Sequence, residues 1–250
     1  MIKFFRHIRK SLVAQNKMGK YFKYAIGEII LVFIGIVMAL QFNNWNETRK
    51  EKVVETKFYE KLLSDTRFNQ QKIDSAIVDL VKHEDLHYQL YDESRGVKSY
   101  NPKMDYRMLR WNINFNPQIA SVYRDQINSI SSLEVKDAFN NYFFIEETTK
   151  KMVHLFADSK KELVRPFMTE NNIINTDSVY GQPKYQEIKT AGSINYKKLT
   201  ALYGTPEFDQ ILYELKLKCE SAFVWFYRLS DSNKNLESIL VKILKEDYQL

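Results

Sequence analysis

Residues 25–42 run AIGEIILVFIGIVMALQF, eighteen positions with one ionisable side chain, Glu28. A run of that length predicts a helix that crosses a bilayer core. Beyond it the pattern changes. Apolar and neutral residues recur in steps of three and four, at Phe58, Leu62, Ile73, Ala76, Ile77, Leu80, His87 and Tyr91, with polar residues on the other faces. That is helical periodicity. Between Gly35 and Gly96 there is no Gly or Pro to interrupt a helix. The apolar helix is therefore expected either to run unbroken into a stalk ending near Ser94 or to bend near Asn43-Asn44.

A turn region with Gly96 and Pro102 follows. Residues 109–116 then alternate, Leu109, Trp111, Ile113 and Phe115 against Arg110, Asn112, Asn114 and Asn116, which predicts an extended segment with one buried face. A lone strand cannot satisfy its own backbone, so this is a packed connector or half of a small hairpin. Asn116-Pro117 reads as cap and first residue of a helix reaching about Ile130. Ser131-Ser132-Leu133-Glu134 matches a capping box. It precedes a long stripe through Val135, Ala138, Phe139, Tyr142, Ile145, Thr149, Met152, Val153, Phe156 and Leu163, which Pro166 ends or kinks. Residues 170–205, with Gly181, Pro183, Gly192 and Gly204, predict an irregular crossover with a short helix near 196–202. Thr205-Pro206-Glu207 caps a last helix striped by Phe208, Ile211, Leu215, Cys219, Ala222, Phe226, Leu229, Leu236, Leu240 and Ile243. Asp231-Ser232-Asn233 is a candidate interruption. The expected fold is mainly α: an N-terminal transmembrane helix continuing into a stalk and an antiparallel helical bundle of three or four long helices. Residues 1–23 form a basic cytoplasmic or interfacial segment, 24–43 the transmembrane helix and 44–250 an exoplasmic helical domain.

The net charge of +6 is confined to one end. Residues 1–24 hold seven of the 37 Lys and Arg and none of the 31 Asp and Glu, which leaves 30 basic against 31 acidic residues elsewhere. That distribution argues against a nucleic-acid partner. It places the N-terminus in the cytoplasm and the rest outside, in the periplasm if the membrane is a bacterial inner membrane. Residues 2–15 read as a basic amphipathic helix on anionic lipid, with Phe5, Ile8 and Leu12 on one face; an irregular basic tail is the alternative. A cleaved signal peptide would need a small-x-small site, and Ala39 has no second small residue two positions away, so the anchor is expected to remain. Trp45 suits the outer interface. Cys219 is the sole cysteine, which excludes an internal disulfide; it pairs between chains or is a small buried hydrophobe.

The segment from Tyr24-Ala25-Ile26-Gly27-Glu28-Ile29-Ile30 through Gln41-Phe42-Asn43-Asn44-Trp45-Asn46-Glu47, with Ile2-Lys3-Phe4-Phe5-Arg6 before it, resembles a family of uncharacterised bacterial single-pass membrane proteins, a domain of unknown function. The resemblance is specific over about residues 1–50. It implies an anchored helical exoplasmic domain and brings no known activity, ligand or catalytic residue.

Glu28 is a costly intramembrane carboxylate, which either serves a proton or partner helix or reaches back toward Lys20 or Lys23. Gly27, Leu31, Gly35 and Ala39 form a strip at four-residue spacing beside it, and Gly35-x-x-x-Ala39 permits close helix approach. These five residues suggest association in the membrane, as a homodimer or with another envelope protein. Ordinary small-residue content of a membrane helix is the competing reading. His83-Glu84-Asp85-Leu86-His87 matches H-E-x-x-H, in which two histidines grip zinc and the Glu is general base. Asp85 and the absence of the downstream Gly and His of metzincins count against it. His87 also falls on the packing stripe. No nucleophile elbow, P-loop or dinucleotide fingerprint is present. No catalytic residue, metal site or cofactor is expected. The leading expectation is a non-enzymatic, membrane-anchored interaction or scaffold protein of the cell envelope. A ligand-binding or sensor bundle working through a partner comes second, and a membrane-anchored zinc hydrolase third.

Overall fold

The computed structural model describes residues 18–181 and 193–248. The basic segment 2–15 lies outside them. The chain divides into two units with the boundary between Lys57 and Phe58. Helix α1 spans Met18–Ser94 without interruption, so the chain runs on as one helix through Asn43-Asn44. In the first unit residues 29–42 are all exposed, although nearly all are large and apolar. The helix there is long and apolar enough to cross a membrane. A helix satisfies its backbone internally, which is what hydrocarbon requires.

The second unit is a bundle of α1 from Phe58 onward, α3 (Leu133–Ser159) and α7 (Pro206–Tyr248). Short elements complete it: 3₁₀ turns at Tyr106–Leu109 and Gln126–Ser129, α2 (Ile119–Tyr123), α4 (Arg165–Glu170), α5 (Asp177–Tyr180) and α6 (Tyr196–Thr200). Side-chain pairs fix the helix directions. Between α1 and α7, Arg67 pairs with Glu237, Glu84 with Lys216 and Arg95 with Asp209, a descending series that makes the two antiparallel. Between α3 and α7, Glu134 pairs with Lys242 and Asn141 with Ser232, again antiparallel. Helices α1 and α3 are parallel, because Asn69 meets Tyr142 and His83 meets Lys160.

Parallel neighbours need a connection that returns along the bundle, and residues 95–132 provide it. Tyr106 bonds Glu93, the Met108 and Trp111 carbonyls meet Lys160, Ala120 meets Glu146, and Tyr123 reaches Asp65. This is the segment whose alternation predicted an extended connector. Its first two residues, Leu109 and Arg110, fall in the 3₁₀ turn at Tyr106–Leu109 and at its cap, and residues 111–116 carry no regular structure; the one isolated bridge among the described residues joins Ile174 and Ile194. Ile113 is buried and Phe115 packs on Phe226 at 4.6 Å, but Trp111 is 62% exposed and leaves the expected stripe. The helix expected from Pro117 to Ile130 starts at Ile119 and gives way to a 3₁₀ turn at Gln126, while Ile119, Tyr123, Ile127 and Ile130 keep one buried face along it.

The cap of α3 is Ser132, whose hydroxyl accepts from the Val135 amide at 3.3 Å. It lies one residue later than the predicted capping box, and Glu134 turns to Lys242 instead. Pro166 does not end the helix. A π-type turn at Lys160–Val164 precedes it and leads directly into α4. A widened turn accommodates a ring that would clash with the carbonyl four residues back. The same turn shifts the register, so Val164 and Lys160 are buried and Leu163 is not. Thr205 caps α7 through the Phe208 amide, as the sequence predicts. The α7 stripe is buried from Phe208 to Leu240, Cys219 included. Asp231-Ser232-Asn233 continues the helix rather than interrupting it.

Candidate functional site

Buried polar groups cross the bundle at three levels. At the first, Asn233 of α7 donates to the Thr66 carbonyl and Gln70 Oε1, both at 3.0 Å. Asn69 donates to the Tyr142 hydroxyl at 2.7 Å, which donates to Glu146 at 2.5 Å, and Glu146 also accepts from the Ala120 amide at 3.2 Å. Burial raises the Glu146 pKa. These bonds run from α1 to α3 and α7, and every group named has a partner. A layer of this kind fixes register at little net gain in stability.

At the second level Glu93 accepts from Gln89 (2.7 Å), Tyr196 (2.6 Å), Tyr203 (2.7 Å) and Tyr106. Burial works to raise its pKa; the four donors outweigh this and hold it below the ordinary value. The knot pins the start of the return connector and the α6 region to the end of α1.

At the third level lies Lys160, wholly buried at the π-type turn. Its ammonium donates to the carbonyls of Met108 (2.8 Å) and Trp111 (2.5 Å) and lies 3.0 Å from His83 Nδ1. It also sits 4.4 Å from the Phe156 ring. Three N–H donors meet three acceptors. The connector has no neighbouring strand among the described residues, and Lys160 supplies donors to two of its carbonyls. Burial lowers the Lys160 pKa to about 7, with Cys219 opposing and Arg165 adding to the shift. Burial first, and Lys160 second, push both His83 and His87 down to about 3, so both imidazoles are neutral. With Nδ1 of His83 accepting from Lys160, its proton belongs on Nε2.

This geometry answers the H-E-x-x-H pattern. His83 faces an ammonium, and Glu84 is held by Lys216 at 2.7 Å. The two histidine rings are 6.4 Å apart and both abut Phe156. Among the described residues no three His, Cys, Asp or Glu converge as metal ligands. His83 and His87 are core residues, and Glu84 is an ion-pair partner.

His87 differs from its neighbour. It is 3% exposed and neither ring nitrogen has a hydrogen-bond partner. It lines a cleft of about 540 Å³ between the end of α1 and the start of α7, together with Tyr88, Tyr91, Leu212, Tyr213 and Lys216. Arg95 and Asp209 pair at the same cleft at 2.7 Å through Asp209 Oδ2, while Asp209 Oδ1 is buried without a partner. Tyr91, expected on the packing stripe, is half exposed here, because α1 and α7 leave this space between them.

In the first unit Gly27, Leu31, Gly35 and Ala39 are all exposed. A Cβ at Gly27 or Gly35 would meet nothing within 4 Å, so none of the described residues covers the strip at these two positions. Glu28 is half-buried beside it. The side chain of Lys20 lies outside the described residues. Sequence reasoning missed Lys160 and Asp209, two charged residues at positions that read as solvated helix faces. A weak signal existed for Lys160: it lies four residues after Phe156, on the line of the buried stripe.

The molecule is thus a helical bundle preceded by one helix with the length and apolarity of a membrane span. Residues 28–133 match a family of unknown function, DUF6090. The matched region takes in the apolar run, the α1 side of the cleft and the return connector, and stops at the start of α3. Lys160 and the α7 wall of the cleft lie beyond it. No curated protein and no solved structure matches the chain.

Proposed function

We propose that this chain is a non-catalytic, single-pass envelope protein of a bacterial inner membrane. The basic N-terminus faces the cytoplasm and the helical bundle lies in the periplasm, where it serves as an interaction or scaffold module. One observation carries the reading: the fourteen consecutive exposed residues 29–42, almost all apolar, which water would not tolerate and a bilayer accommodates. The seven basic residues before them set the orientation. The open strip at Gly27, Gly35 and Ala39 supports close contact with a second helix, in a homodimer or with another envelope protein. Paired C-terminal reporters test the topology. A reporter active only outside the cytoplasm is expected to work and a cytosolic one to fail; the reverse result ends the proposal. Purification in mild detergent is expected to yield a dimer or a partner complex, and recovery solely as a monomer removes the scaffold role.

The His87 cleft favours a second reading, in which the bundle takes up a small ligand between its helices and passes its state to a partner.

A further inference from the structure

The cleft between α1 and α7 holds polar atoms that the protein leaves unused. Both nitrogens of the buried His87 ring and Oδ1 of Asp209 lack partners. Each such atom costs about 1–3 kcal/mol when nothing meets it. Their neighbours in the first polar layer are paired, so the bundle can satisfy buried polar groups where it does so for structure alone. The volume of about 540 Å³ suits a small molecule. The walls are the rings of Tyr88, Tyr91 and Tyr213 with Leu212.

The charges of the cleft limit what can enter. Lys216 sits 4.3 Å from the Tyr88 ring and Arg95 5.1 Å from that of Tyr91, so both places that would attract a ligand cation are filled. Lys216 is itself paired with Glu84 and Glu220, and Arg95 with Asp209, so neither cation awaits an anion. What remains is aromatic surface, the two acceptors of a neutral imidazole and a carboxylate oxygen, and one imidazole N–H.

We propose that this cleft binds an uncharged planar aromatic or heteroaromatic compound whose N–H or O–H groups meet Asp209 Oδ1 and the His87 ring while its faces lie against the tyrosines. The proposal rests on the ligand-binding reading above and adds the chemical class.

The test uses the full chain in detergent micelles, with saturation-transfer NMR titrations and empty micelles as baseline. Adenine and phenol are the uncharged probes, benzoate the anion and benzylammonium the cation. Adenine or phenol is expected to saturate one site at about millimolar concentration or below. The two ions are expected to bind at least about tenfold more weakly, since their charge would be buried unpaired. His87→Phe keeps the ring and removes both nitrogens, and about a tenfold loss of the uncharged probe is expected. Tyr213→Ala, at an exposed wall position, is expected to weaken it as well, and it decides the matter should His87→Phe fail to fold. Equal or tighter binding of benzoate or benzylammonium overturns the chemical class and leaves a ligand-binding bundle standing. Saturation by none of the four probes overturns both. Binding that both variants leave unchanged lies elsewhere and also overturns the proposal.

Discussion

The Asn69–Tyr142–Asn233 layer and the His87–Asp209 cleft are built from the same materials. Each sets polar side chains of α1 against α7 inside one bundle. In the layer each named group finds a partner at 2.5–3.2 Å, and α3 closes the third side through Tyr142 and Glu146. In the cleft α3 brings only the Phe156 ring against His87, and His87 and Asp209 keep unmet atoms. A buried polar group that is paired specifies how helices align; one left unpaired costs stability and is retained for something that arrives from outside. The two sites should therefore answer substitution with opposite signs.

The largest expected effect comes from acid. His83 and His87 are held near 3 in the folded chain and lie near 6.5 when unfolded. Between those values the unfolded chain takes up protons that the folded one refuses, so stability falls as pH drops from about 6.5 toward 3, by an amount on the order of 5 kcal/mol for each of the two. Denaturant midpoints measured across that window for the parent and His87→Phe should diverge toward acid, as the variant has one such group fewer and loses about half as much. Parallel curves would show that the imidazoles are not buried as described.

Lys160→Met comes next. It strands the Met108 and Trp111 carbonyls and is expected to cost about 4 kcal/mol by denaturant unfolding. A loss under about 1 kcal/mol would mean that the connector finds other donors. Lys160 adds a second pH signature. Its folded pKa of about 7 lies below the unfolded 10.5, so its contribution to stability rises with pH between those values and is flat below about 7. Asn233→Leu, in the closed layer, is expected to cost about 2 kcal/mol, since it leaves the Thr66 carbonyl and Gln70 unmet. His87→Phe, in the open cleft, is expected to gain about 1 kcal/mol at pH 7, because it removes two unmet polar atoms at little change in shape. Were both of these to destabilise equally, the contrast between layer and cleft would be lost.

Much of the bundle was legible in the sequence, for a reason its stripes make plain. Phe208, Leu215, Ala222, Leu229 and Leu236 lie on one face of α7 whatever packs against it, because helical periodicity is a local property. The end of α1 near Ser94 and the cap at Thr205 were readable for the same reason. Polar positions misled where their partners are distant in sequence. Asn233 reads as a helix breaker until Thr66 and Gln70, more than 160 residues away, receive its amide. Glu93 reads as surface charge until three tyrosines from two other segments close on it.

By itself the sequence determined the apolar span, its basic flank and the helical stripes, since each depends on residue type and spacing along one helix. Tertiary structure alone decided that α1 and α3 run parallel, that an irregular connector returns between them, that Lys160 satisfies it, and that His87 faces a cleft while His83 faces an ammonium. Those outcomes depend on which buried donor meets which acceptor across the bundle, and pairing at such distances leaves no periodic trace in the chain.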